Sequence, residues 1–124
     1  MRDKSTALLL IEADPAESAR LRAALATGPG GQFQVELATR LDEALILLAR
    51  REFEVVLLDL AMPDGEGVEA FERVIRVAPK ALVLVLGSAS DEEAARQVVQ
   101  RGAEDFFVRS HADVQWLPRA LGYR

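Results

Sequence analysis

Thr6-Ala7-Leu8-Leu9-Leu10-Ile11 and Val55-Val56-Leu57-Leu58 are continuous apolar runs, each followed at once by a carboxylate, Glu12 in one case and Asp59 in the other. A strand with one face in water alternates apolar and polar residues. A run without alternation suits a strand covered on both faces, as in a parallel sheet with helices above and below it. Strands are therefore expected at Thr6–Ile11, Phe53–Leu58, Ala81–Leu86 and Asp105–Arg109, while Phe33-Gln34-Val35-Glu36-Leu37 alternates as a sheet edge would.

Between these runs the apolar period changes to three and four. Asp14-Pro15-Ala16-Glu17 opens a first helix, with Asp14 as N-cap, Pro15 at the first helical position and Glu17 completing a capping box; Leu21 and Leu25 continue its inward stripe to Gly28. Thr39 is expected to cap a second helix through Arg50, carrying Leu41, Ala44, Leu45 and Leu48. Val68, Phe71, Val74 and Ile75 mark a third helix, closed before Pro79 because the residue preceding a proline is pushed out of helical geometry. Ser90-Asp91-Glu92-Glu93 reads as a capping box for a fourth helix with Ala94, Ala95, Val98 and Val99, stopping at Gly102. A fifth helix is expected from about Asp113 to the end, with Val114, Leu117 and Leu121 on one face and Pro118 about a turn inside it. Strands alternating with helices imply an α/β doubly wound parallel sheet with right-handed crossovers, and 124 residues, half of them hydrophobic, suit one domain over residues 1–124.

Composition removes several function classes. The net charge is -5 with basic residues scattered, so no footprint for a nucleic-acid backbone is visible. Without cysteine there is no disulfide, thiolate metal site or thiol nucleophile. The run from Ala7 to Ile11 is too short for a signal peptide or a membrane span, which makes a soluble cytoplasmic protein the expectation. In open α/β sheets ligands sit beyond the carboxyl ends of the strands. The residues at those ends are Glu12, Asp59, Gly87 and Arg109. A carboxylate buried alone costs free energy, so Asp59 calls for a cation, a hydrogen-bond network or a chemical role, unless it merely starts a turn.

Leu9-Leu10-Ile11-Glu12-Ala13-Asp14-Pro15, Leu57-Leu58-Asp59-Leu60-Ala61-Met62-Pro63-Asp64-Gly65 and Gly102-Ala103-Glu104-Asp105-Phe106-Phe107-Val108-Arg109, in this order, resemble the receiver domain of two-component response regulators over essentially the whole chain. The resemblance implies a flavodoxin-like fold with five strands in the order 2-1-3-4-5. It also implies that Asp59 accepts a phosphoryl group from a histidine kinase or phosphotransfer protein, with Mg²⁺ cancelling charge repulsion and a cation on the phosphoryl oxygens. An effector domain or partner protein would read the change through the fourth helix, fifth strand and fifth helix.

The sequence departs from the family at the site itself. Glu12 matches the first acid of the metal-binding pair, but Ala13 stands at the second, so a weak Mg²⁺ site formed by Glu12 and Asp59 is expected. Asp14 is the alternative third ligand, although its role as helix N-cap explains it fully. Gly87 falls where the family has Thr or Ser, leaving Ser88 as a stand-in only if the loop bends, or as a solvated loop serine. Arg109 replaces the family lysine, keeping charge but not shape, and an ion pair with Asp59 is its other reading. Phe106 sits at the family's switching aromatic without a hydroxyl, so core packing is its simplest role. His111 is expected to be solvated. Trp116 and Tyr123 would either pack in the core or extend the last helix toward a homodimer contact.

Two functions are thereby expected as alternatives: a receiver phosphorylated on Asp59, and a pseudo-receiver that works as a phosphorylation-independent interaction module. An enzyme fits less well. A haloacid dehalogenase-type hydrolase would want an acid where Ala61 stands, and a flavin module would want a Ser/Thr-rich loop where Asp14-Pro15-Ala16 stands. The end at Leu121-Gly122-Tyr123-Arg124, in or just after the last helix, is compatible with an effector region following.

Overall fold

A computed structural model describes residues 6–27 and 33–108 of the chain. Five parallel strands form the sheet: β1 (Thr6–Ile11), β2 (Phe33–Ala38), β3 (Val55–Asp59), β4 (Leu82–Gly87) and β5 (Asp105–Val108), in the order β2-β1-β3-β4-β5. The described helices are α1 (Pro15–Thr27), α2 (Leu41–Arg50), α3 (Gly67–Val77) and α4 (Glu92–Gln100). The expected fold class and strand order are therefore both found. Arg109, His111, Trp116, Tyr123 and the expected fifth helix lie outside the described residues.

The unalternating runs are buried on both faces, as their composition demands. Leu9, Ile11, Val56, Leu58, Val83 and Val85 point to one side, where α2, α3 and α4 pack through Leu41, Ala44, Phe71, Val74 and Val98. Leu8, Leu10, Val55, Leu57, Leu84 and Leu86 point to the other, where α1 contributes Leu21 and Leu25. Each such side chain contributes about 1.5–3 kcal/mol relative to an exposed one, far more than any surface ion pair here. β2, at the edge, is only partly covered, in keeping with its alternation.

Several boundaries differ from the sequence reading. β3 starts at Val55 rather than Phe53 and takes in Asp59, and β4 runs on through Gly87, because ladder pairing continues to Asp59↔Leu86 and Gly87↔Val108. The turn after β3 contains a two-stranded hairpin, Ala61–Met62 against Gly65–Glu66. Val99 is half-exposed while Val98 is fully buried, since adjacent helical residues cannot share one face.

Candidate functional site

The pairing of Ile11 with Leu58 aligns the ends of β1 and β3, so Glu12 and Asp59 follow at the same level on neighbouring strands. Both are among the few buried charged residues described: Glu12 is 1% exposed and Asp59 3%. The Asp14 amide donates to Glu12 Oε2 at 3.2 Å, and the Ala61 amide donates to Asp59 Oδ1 at 3.1 Å. Each carboxylate is thus met by the amide two residues further on, a turn geometry that fixes its orientation as the chain leaves the strand.

Asp14 does not join them. Its Oδ1 accepts the amides of Ala16 at 3.0 Å and Glu17 at 3.4 Å, which makes it the N-cap of α1. The reciprocal half of the expected capping box is replaced: the Asp14 amide goes to Glu12, while Glu17 pairs with Arg20. Ala13, half-buried, packs against the α2–α4 core. Among the described residues no group of three His, Cys, Asp or Glu side chains converges as a metal site. The two buried carboxylates nevertheless present the hard oxygen donors that Mg²⁺ prefers, and Mg²⁺ keeps several waters in protein sites. Glu12 and Asp59 therefore fit the ion as a two-carboxylate site.

At the end of β4, Gly87 is a packing requirement. A β-carbon there would stand 2.9 Å from Asp91 Oδ2 and 2.9 Å from two ring carbons of Phe106. Phe106, half-buried, packs against the α2–α4 core, as its lack of a hydroxyl suggested. Ser88 is a half-buried loop residue whose polar groups are engaged. Its amide donates to Asp91 Oδ2 at 2.8 Å and its hydroxyl to the same oxygen at 3.1 Å, and a capping box joins Ser88 and Asp91 around the short helical turn Ala89–Asp91. The box expected at Ser90 for α4 is not found: Asp91 is the N-cap of α4 without a side-chain cap bond, and the box observed belongs to the short turn that begins as soon as the chain leaves β4. Ser88 Oγ also lies 2.8 Å from Ser90 Oγ.

Asp64 has a role that no local pattern announces. The N-cap position of α2 is Arg40, without a side-chain cap bond, and Thr39 merely donates its amide to Glu43. The cap comes from the hairpin: Asp64 accepts the Leu41 amide at 2.7 Å and the Asp42 amide at 3.0 Å, with the Arg40 guanidinium 3.6 Å away. These amides, Asp42 first and Leu41 next, outweigh partial burial and hold the Asp64 carboxyl below its ordinary value of 3.8, with Arg40 adding less. The sign follows from the depressed native pKa: the stabilisation is complete above 3.8 and is lost as pH falls through the lower native value. The Leu41 and Asp42 amide resonances are accordingly expected to titrate with a midpoint below 3.8. Asp64→Asn should abolish that titration, and a midpoint at or above the ordinary carboxylate value would contradict the assignment.

Of the residues expected at the strand ends, the fold brings Glu12 and Asp59 together, sets Gly87 under Phe106 and assigns Asp14 to a cap. Arg109 lies outside the described residues. No described helix is long and apolar enough to cross a membrane.

Known proteins share this fold. The family model of the response regulator receiver domain matches residues 8–117. The chain is 34% identical over 101 residues to the KDP operon transcriptional regulatory protein KdpE of Escherichia coli, covering 82% of this chain and 43% of that relative. It thus spans less than half of that relative's length. A response regulator from Burkholderia pseudomallei, solved with a phosphorylated aspartic acid, calcium ion and citrate, superposes with a TM-score of 0.76 at 26% identity, over 94% of this chain and 66% of that one. A two-component response regulator from Clostridium difficile superposes at 0.83 with 16% identity, over 96% and 94%, a likeness that shows the fold. With its 2-1-3-4-5 sheet, its buried acids at the ends of β1 and β3 and a match over nearly its full length, the chain belongs to the response regulator receiver domain family of two-component signalling.

Proposed function

We propose that the chain is a receiver module whose Asp59 accepts a phosphoryl group from the phosphohistidine of a sensor kinase or phosphotransfer protein. The observation that carries this reading is Asp59 itself, buried beside Glu12 at the carboxyl end of the central strand with Oδ1 held by the Ala61 amide. In the transfer an Asp59 oxygen attacks phosphorus, the P–N bond to histidine breaks, and the imidazole nitrogen keeps the electron pair. Glu12 and Asp59 would hold Mg²⁺, which when bound supplies positive charge against the repulsion between carboxylate and phosphoryl oxygens. Arg109 would set its guanidinium on those oxygens in place of the family lysine. The change would pass to α4, β5 and the helix after it, and from there to an effector domain, a partner protein or a second copy. The chain would act as a signalling module and not as an enzyme in its own right, with no direct nucleic-acid contact.

One observation favours a second reading, a pseudo-receiver that binds partners without phosphorylation. The space beside the β4 end, where the family carries a hydroxyl, is filled by the Phe106 ring and the Asp91 carboxylate, and the neighbouring hydroxyl of Ser88 is engaged in the capping box. A test separates the two readings. Intact-mass analysis after incubation with Mg²⁺ and acetyl phosphate is expected to show one phosphate adduct, absent in Asp59→Ala. A parent chain that gains no adduct would leave the interaction module standing.

A further inference from the structure

Asp59 and α2 are far apart in sequence, yet one short hairpin joins them. The Ala61 amide, donated to Asp59 Oδ1, belongs to its first strand, Ala61–Met62. Pro63 and Asp64 form its turn, and Gly65–Glu66 is its return strand. At its base the hairpin is fixed to the sheet, since Leu60 donates to the Leu86 carbonyl at 2.9 Å and Gly67 donates to the Leu60 carbonyl at 2.9 Å. At its tip it is fixed to the start of α2. There Asp64 accepts two amides of the first turn, and Gly65 lies so close to Leu41 that a β-carbon would run into Leu41 Cδ2. Leu41 is itself fully buried, so this anchor is rigid.

We infer that Asp64 is a positioning residue for Asp59: by capping α2 it pins the hairpin whose Ala61 amide orients the Asp59 carboxylate. The amide-to-carboxylate bond spans only two residues and has no geometry of its own apart from the path of the hairpin. Met62, in the first strand, buries its side chain in the α2–α4 core, and Asp64 ties down the turn just beyond it, so Ala61 lies between the sheet-bound base and these two anchors. Holding the tip limits rotation of the hairpin about the Met62 anchor and presents the same Asp59 oxygens in one orientation, which is what positioning contributes to a group-transfer step. The kinetic consequence rests on the phosphoacceptor reading above; the structural consequence does not.

The test separates the tether from the cap. Asp64→Ala removes both, whereas Arg40→Ser/Asp64→Ala supplies α2 with a local cap at a position whose backbone is already extended, leaving the hairpin tip free. Amide hydrogen exchange of Ala61, read by NMR in the 124-residue chain, is expected to be about fivefold faster in both variants, the factor a capping acceptor is ordinarily worth. The Leu41 and Asp42 amides should recover parental protection in the double variant, and Asp64→Asn, which keeps one of the two capping oxygens, should fall between the parent and Asp64→Ala. Uptake of phosphate from acetyl phosphate should fall by a similar factor in the double variant despite its restored melting temperature. Ala61 exchange that returns to parental rates together with α2 would overturn the inference and leave Asp64 a helix cap only. Because exchange needs no phosphorylation, a parent chain that takes up no phosphate would count against the phosphoacceptor reading alone.

Discussion

Gly87→Thr, the change that would restore the family residue, is expected to destabilise the protein by about 1–3 kcal/mol in urea denaturation, the ordinary cost of overpacking a filled site. Two effects oppose each other. Replacing glycine in a strand relieves about 0.5–1 kcal/mol of backbone entropy cost. Against that, the new β-carbon meets the Phe106 ring and the Asp91 carboxylate, both at 2.9 Å. The ring has some room, being half-buried, but Asp91 Oδ2 cannot move without releasing the Ser88 amide and hydroxyl. A capping interaction is worth about 1 kcal/mol, so the clash wins. Phe106→Ala in the Gly87→Thr background should recover part of the loss, appearing as a coupling free energy of at least about 0.5 kcal/mol in a double-mutant cycle. Full stability in Gly87→Thr, with no coupling to Phe106, would show that the β4 end is looser than the packing described.

Ala13→Asp is expected to tighten Mg²⁺ binding about tenfold, measured by isothermal titration calorimetry, because affinity for a hard divalent cation rises with the number of carboxylate oxygens. The present donor set is short by one acid. Asp14 is committed to the first amides of α1, and the described residues include no third convergent carboxylate. Position 13 follows Glu12 directly and is only half-buried, so a carboxylate can be accommodated there without the full cost of burial. Asp14→Ser provides the control: it keeps an N-cap oxygen and should leave Mg²⁺ affinity unchanged. An unchanged affinity in Ala13→Asp, or a loss in Asp14→Ser, would place the third ligand at Asp14 or elsewhere.

Both experiments bear on what the degenerate positions do together. Glu12 and Asp59 are buried at neighbouring strand ends, with the Ala61 amide on Asp59. Gly87, Phe106, Ser88 and Asp91 form a packed unit at the end of β4. The chain combines a buried carboxylate at the end of β3 with a closely packed surround, which is why acetyl phosphate, rather than geometry, distinguishes a slow receiver from a pseudo-receiver.

Much of this was legible in the residues because local physics and global fold agree. Leu8 to Ile11 and Val55 to Leu58 cannot leave a face in water, so a sheet covered on both sides followed directly, as did the placement of Glu12 and Asp59 where those runs end. The N-cap role of Asp14 was readable too, since donor and acceptor lie within three residues. Thr39 and Ser90 were plausible caps on the same local logic, and both were displaced. The α2 amides are capped by Asp64 from 22 and 23 residues away, and the box around Asp91 starts at Ser88. Gly87 read as a missing hydroxyl, whereas the fold makes it the space into which Phe106 and Asp91 pack. Burial periodicity and short-range hydrogen bonds are properties of neighbouring residues, and the sequence by itself determines them. Which distant acid caps a helix, and which ring fills the volume beside a glycine, depends on how the ends of β3, β4 and β5 meet α2 and the turn before α4, and only the tertiary structure decides it.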